Sequence, residues 1–201
     1  MTLVRKCGDR ALLLEVDDVH GMVRALEALD LPGVTEIVAG ARTVLVSHGA
    51  DADVNALARR VAGITPMAEP EGDPATITLE VIYDGDDLGV VAGVAGISVE
   101  EVIARHVGAD YQVAFCGFSP GFAYLRGLDP SLVVPRLASP RTRVPAGSVA
   151  IADTWSAVYP RESPGGWRLL GHTRTPLWDL TSPVPALLTP GTRVRFARIA
   201  S

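Results

Sequence analysis

The first third of the chain alternates short apolar runs with helical stripes. Residues 10–16 (Arg-Ala-Leu-Leu-Leu-Glu-Val) form a strand-length apolar run between Gly8-Asp9 and Asp17-Asp18. Val19, Met22, Val23, Leu26 and Leu29 then recur at intervals of three and four, which predicts an amphipathic helix capped by Asp17 or Asp18 and stopped at Pro32-Gly33. Residues 34–39 and 43–47 read as two strands joined by Gly40-Ala41-Arg42. A second helix opens at Asp51 or Asp53, carries Val54, Leu57, Ala58 and Val61 on one face, and ends at Gly63.

Residues 66–74 hold Pro, Glu, Gly and Asp with little apolar bulk and read as a linker or surface loop. Residues 76–83 alternate like a strand. That strand either completes a split βαβ, ferredoxin-like arrangement with the first third or opens a second domain. Ser98 followed by Glu101 is a capping box, and it starts a helix with Val99, Val102, Ile103 and His106 on one face. Beyond Gly108, strand candidates at 111–115, 148–152, 167–170 and 192–199 are separated by Gly- and Pro-rich loops, the texture of a barrel or sandwich. The expected organisation is an α/β N-terminal domain over 1–75 and a mainly-β barrel over 76–201. No Gly-x-Gly-x-x-Gly joins a strand to a helix, so a dinucleotide fold is excluded.

Composition narrows the function classes. The 201 residues carry 23 Asp+Glu against 18 Lys+Arg, for a net charge of -5, and Lys6 is the single lysine. Without a basic cluster beyond Arg136, Arg141 and Arg143, nucleic-acid binding is not expected. No apolar run approaches membrane-spanning length and no signal-peptide pattern opens the chain, so a cytoplasmic protein with no membrane association is expected. Cys7 and Cys116 lie far apart, no metal-ligand spacing occurs, and no metal is expected.

Candidate chemistry gathers in three places. Phe115-Cys116-Gly117-Phe118-Ser119-Pro120-Gly121-Phe122-Ala123-Tyr124-Leu125 contains every Phe except Phe196. Glycines among aromatics allow tight turns and expose N–H groups to a ligand; the plainer reading is a packed loop closing a barrel end. Gly117 to Gly121 meets the Gly-x-Ser-x-Gly pattern literally, but Pro120 follows the serine and no strand–helix context surrounds it, which argues against a hydrolase elbow. Arg136, Arg141 and Arg143 lie on a Pro-rich stretch suited to holding a carboxylate or phosphate, or merely to pairing with surface acids. Ser163-Pro164-Gly165-Gly166-Trp167 reads as a shaped binding loop or a tight turn anchored by Trp167. His106 and His172 are candidate general bases, although a histidine on an apolar helix face is more often a packed residue.

Tyr83-Asp84-Gly85, the helix reaching His106, the Gly117–Leu125 motif, Pro135-Arg136, Pro140-Arg141, residues 144–151 (Val-Pro-Ala-Gly-Ser-Val-Ala-Ile) and Tyr159-Pro160-x-x-Ser163-Pro164-Gly165-Gly166-Trp167 together resemble one family. It comprises the 5-oxoprolinase B subunit, also known as allophanate hydrolase subunit 1, and the sporulation-kinase inhibitor; the module also occurs within urea carboxylase. The resemblance covers essentially the whole chain. It implies a cyclophilin-like barrel and a homologous larger C subunit in a hetero-oligomer of two plus two. With an A subunit, the set is an ATP-hydrolysing enzyme that opens 5-oxo-L-proline to L-glutamate. The isolated chain is then expected to be inactive, with ATP bound mainly through partners because no phosphate-binding Gly-rich loop with a lysine is present. The alternatives are a histidine-kinase inhibitor and a urea-carboxylation subunit. The expected site joins His106, Tyr124, Arg141 and Ser163 in catalytic roles with Ser119, Gly121, Phe122, Arg143, Gly165, Gly166 and Trp167 around a small anionic substrate. All but His106 are expected to converge on one face of the barrel.

Overall fold

The computed structural model describes residues 2–69 and 76–200, and the chain falls into two compact units, Met1–Asp73 and Pro74–Ser201. The first unit runs β1 (Leu3–Lys6), β2 (Ala11–Glu15), α1 (Val19–Ala28), β3 (Val34–Ala39), β4 (Thr43–His48) and α2 (Val54–Ala62). Its antiparallel sheet has the order β1-β2-β4-β3. Asp18 caps α1 through Gly21 N–H, and Asp53 caps α2 through the N–H groups of Asn55 and Ala56. The stripes bury Met22, Leu26, Leu57 and Val61 against Leu12, Leu14, Val44 and Val46 of the sheet. Strand β1, whose residues are mostly exposed, has no apolar run to announce it.

The second unit opens with β5 (Thr76–Val81). This strand pairs in parallel with β13 (Arg193–Arg198), so it belongs to the second sheet and does not complete the first. Helices α3 (Leu88–Ala95) and α4 (Val99–Gly108) follow, then β6 (Tyr111–Cys116), β7 (Ala123–Arg126), β8 (Arg141–Val144), β9 (Ser148–Ala152), β10 (Trp155–Val158), β11 (Ser163–Gly165), β12 (Arg168–His172) and β13. Seven strands form one mixed sheet in the order β12-β9-β10-β7-β6-β13-β5. A bridge between Ile82, just after β5, and His172 of β12 joins its two edges, so the sheet is nearly closed into a barrel. Strands β8 and β11 form a separate ribbon.

Period-2 alternation gives this sheet two different faces. Val149 and Ile151 of β9, Val158 of β10, Leu125 of β7 and Leu170 of β12 face one core, where they meet Val91 of α3 and Val102, Ile103 and His106 of α4. Their neighbours Ala150, Ala152, Ala157 and Leu169 face a second cluster with Phe122, Tyr159 and Trp167. Small alanines on this second face leave room for large rings. Every residue of β9 is buried as a result.

Candidate functional site: an aromatic pocket on the outer face of the barrel sheet

The second face builds a cavity of about 90 Å³ lined by Phe118, Phe122, Tyr124, Arg136, Tyr159 and the Pro164–Trp167 segment. Phe122 is the hub, with edge-to-face contacts to Phe118, Tyr124, Tyr159 and Trp167 at centroid separations of 5.1–5.7 Å. Tyr124 is held from behind by Phe115, stacked at 4.3 Å. The turn between β6 and β7 carries the rim. Phe118 has φ 68, a left-handed backbone unfavourable for a bulky residue, and its ring is 61% exposed. A strained turn presenting an exposed ring at a cavity mouth is the pattern of a binding edge.

Gly165 is required by contact. A Cβ there would stand 2.3 Å from the Tyr159 hydroxyl oxygen, so only glycine lets β11 lie across that buried ring. Burial pushes the Tyr159 phenol up, offset in part by a hydrogen bond from the Trp167 backbone and by the Arg136 and Arg141 charges. The hydroxyl oxygens of Ser119 and Ser163, on two segments that border the pocket, are buried without a hydrogen-bond partner.

The three arginines are used differently. Arg136 lines the pocket, with its guanidinium carbon 5.6 Å from the centroid of the Trp167 ring. Its Nε is 3.5 Å from Asp153 Oδ2, an exposed pair. Arg141 lies on strand β8 and points to Asp87, which is 4% exposed. Its Nη2 donates to Asp87 Oδ2 at 2.9 Å and its Nη1 donates to the Trp167 carbonyl at 3.3 Å. Asp87 Oδ2 also accepts the Leu169 N–H at 2.7 Å, and Arg168 Nη1 stands 3.7 Å from Oδ1. Arg143 is largely exposed and paired with Glu162 at 2.6 Å. Neither Arg141 nor Arg143 lines the cavity.

The structure therefore brings Phe122, Tyr124, Gly165, Gly166 and Trp167 together, with Ser119, Gly121 and Ser163 on the bordering segments. It does not bring His106 there. That ring is wholly buried in the other core, with Nδ1 2.7 Å from the Tyr83 hydroxyl and Nε2 3.1 Å from Ser156 Oγ. Burial lowers its pKa to about 3, so it is neutral at physiological pH. His172 pairs with Asp84 at 2.9 Å and is absent from the pocket lining. Cys116 is half-buried, donates weakly to the Leu188 carbonyl at 3.5 Å, and has its thiol pKa pushed up by burial, the opposite of an activated nucleophile. Arg136, Tyr159 and Pro164 line the pocket although none is in the expected site set; the sequence marks Arg136 only as one of three candidate arginines and Pro164 only within the Ser163–Trp167 loop. Their signal is present in the Pro135-Arg136 and Tyr159-Pro160 pairs, but nothing local shows that such distant pairs meet.

Two larger clefts, of about 890 and 550 Å³, lie in the first unit and contain no aromatic side chain. Among the described residues no group of three or more His, Cys, Asp or Glu could hold a metal ion, and no helix is long and apolar enough to cross a membrane.

The second unit is thus a nearly closed mixed barrel carrying an aromatic pocket lined by a single arginine, and comparison with known proteins gives its class. Residues 2–188 match the carboxyltransferase domain, subdomain C and D, and the chain belongs to that family and within it to the group of 5-oxoprolinase B subunits. It is 39% identical over 201 residues to the 5-oxoprolinase B subunit of Escherichia coli O157:H7, spanning 94% of this chain and 92% of that protein. It is 32% identical over 222 residues to the protein of the same name from Bacillus subtilis (strain 168), spanning 98% and 92%. The crystal structure of TTHA0988 superposes with a TM-score of 0.83 at 32% identity; it covers 99% of this chain, which spans only 41% of that longer one. Kinship thus places the chain in an enzyme-associated family.

Proposed function

We propose that this chain is the B subunit of an ATP-dependent 5-oxoprolinase, in which the aromatic pocket contributes to holding the substrate. The observation that carries this reading is the near full-length relationship to two 5-oxoprolinase B subunits, together with a small pocket of matching chemistry. A five-membered lactam presents flat apolar faces for Phe122, Tyr124 and Trp167, a carboxylate for an arginine, and amide edges for hydroxyl and backbone donors. Ser119 and Ser163, buried and unpartnered, are candidate donors. Enclosure among rings strengthens such polar contacts by excluding water. Tyr124 and Ser163 hold and orient the substrate in this reading, and the barrel is of cyclophilin-like type.

The pocket does not fit a nucleotide. A cavity of about 90 Å³ with one guanidinium cannot hold a triphosphate, and the chain's single lysine, Lys6, lies in β1 of the other unit. ATP is therefore assigned to the partners, a larger C subunit and an A subunit, which the active assembly needs. The test is glutamate formation from 5-oxoproline and ATP by this chain alone and mixed with its A and C partners. Turnover only in the full mixture, with a hetero-oligomer of this chain and the C partner on sizing, supports the reading. Turnover by the chain alone, or by the partners without it, refutes it.

A further inference from the structure

Of the three arginines that the sequence places near one another, two lie outside the pocket lining and are paired elsewhere, one with a buried carboxylate and one at the surface. Arg141 is bound to Asp87 and the Trp167 carbonyl, and Arg143 to Glu162. Arg136 is different. It forms part of the cavity wall, its guanidinium stands over the Trp167 ring, and its ion pair is made through Nε at 3.5 Å from Asp153 Oδ2 in a half-exposed setting. Such a pair is weak and easily exchanged. Among the described residues neither terminal nitrogen of Arg136 makes a hydrogen bond. A planar fork held over an aromatic ring with both terminal nitrogens unspent is preorganised for a bidentate contact to a carboxylate. No other charged side chain lines the cavity.

We infer that Arg136 is the specificity-determining residue of the aromatic pocket, where it selects a small flat ligand carrying a carboxylate over the same ligand without the charge. This rests on reading the pocket as the substrate-holding site. In that arrangement the rings of Phe122, Tyr124 and Trp167 accept the body of the ligand without reading its charge. Arg136 supplies the discrimination. Its present partner Asp153 lies at the tight turn between β9 and β10, with a positive φ of 51, a different segment from the rings themselves.

The test uses the full-length chain, alone and in the complex with its partners, and two probes: L-5-oxoprolinate and its uncharged carboxamide. Binding is followed by calorimetry and by the indole signals of the three tryptophans. The wild-type chain is expected to prefer the acid by at least about tenfold, the value of one charge-assisted contact. Arg136→Gln should lose that preference, weakening the acid about tenfold or more and leaving the amide within about twofold. Arg195→Gln, which removes the same charge from β13, where Arg195 makes an exposed pair with Asp110, should change neither probe. Three results overturn the inference: acid binding unchanged in Arg136→Gln, equal weakening of acid and amide, or no saturable binding of the acid to either the wild-type chain or the complex at millimolar concentration. Turnover distinguishes this from the broader reading. A complex that opens 5-oxoproline with unchanged KM when it carries Arg136→Gln refutes Arg136 and leaves the subunit assignment. A pocket that discriminates acid from amide in a complex without turnover does the reverse.

Discussion

Arg141→Ala is expected to be a stability lesion, and the structure sets its size. The substitution strips Asp87, 4% exposed, of its closest charged partner and frees the Trp167 carbonyl. Breaking a buried ion pair costs about 3–5 kcal/mol. Two features of this site lower that figure. Asp87 keeps the Leu169 N–H at 2.7 Å and Arg168 at 3.7 Å, and the Arg141 side chain is 26% exposed, so water can replace part of the loss. About 2–3 kcal/mol remains. For a unit of this size each kcal/mol moves Tm by about 4 °C, so Tm should fall by about 8–12 °C. All three tryptophans lie in the second unit, so urea and thermal melts followed by their fluorescence report on it directly. Asp87→Asn should be similarly damaging, and the double variant should cost less than the sum of the two by about 1–2 kcal/mol. A Tm drop below about 3 °C, or strictly additive effects, would refute the claim that this pair holds α3, β8 and the start of β12 together.

Three further outcomes follow from the same packing. His106 has a folded-state pKa of about 3, below an unfolded value near 6.5, so the unfolded chain takes up a proton first as pH falls and stability is lost from about pH 6.5 downward, at up to about 1.4 kcal/mol per pH unit. Urea stability measured from pH 7.5 to 4 should be about one proton flatter in His106→Phe, and parallel profiles would contradict this. Gly165→Ala should cost about 1–3 kcal/mol because its Cβ would lie 2.3 Å from the Tyr159 hydroxyl oxygen, whereas Gly166→Ala, whose nearest new neighbours are at 3.7 Å, should cost well under half as much in the same melts. With a thiol reagent at pH 8, exposed Cys7 should react at least about tenfold faster than half-buried Cys116; equal rates would show Cys116 to be accessible.

What can be read from the sequence tracks how local its cause is. Asp18, Asp53 and Ser98 cap their helices because capping is settled within three residues, and the stripes of α1, α2 and α4 are legible for the same reason. Helix α3 is not. Its Leu-Gly-Val-Val-Ala-Gly-Val-Ala has two glycines, no polar face and poor propensity. Asp87, at the capping position, makes no cap hydrogen bond because its carboxylate is taken by Arg141 and Leu169. Strands β8 and β11 look like loops because each is short, and they pair only with each other. The aromatic half of the site is visible as a dense motif. Its charged half is not, because whether Arg136 or Arg141 faces the pocket depends on a carboxylate 54 positions from Arg141.

If the pocket of this chain holds 5-oxoproline while its partners hold ATP, the two Michaelis constants of the complex respond separately to a change at the pocket rim. Phe118→Ala removes the ring of a residue that is 61% exposed at the rim and leaves the left-handed backbone there unchanged, since alanine also carries a Cβ, so no buried packing is lost and the fold is retained. In the assembled complex the KM for 5-oxoproline should rise about 5- to 10-fold, matching the loss of about 1–1.4 kcal/mol of aromatic contact, with the KM for ATP unchanged. A shift in the ATP constant alone, or no shift in either, would contradict it.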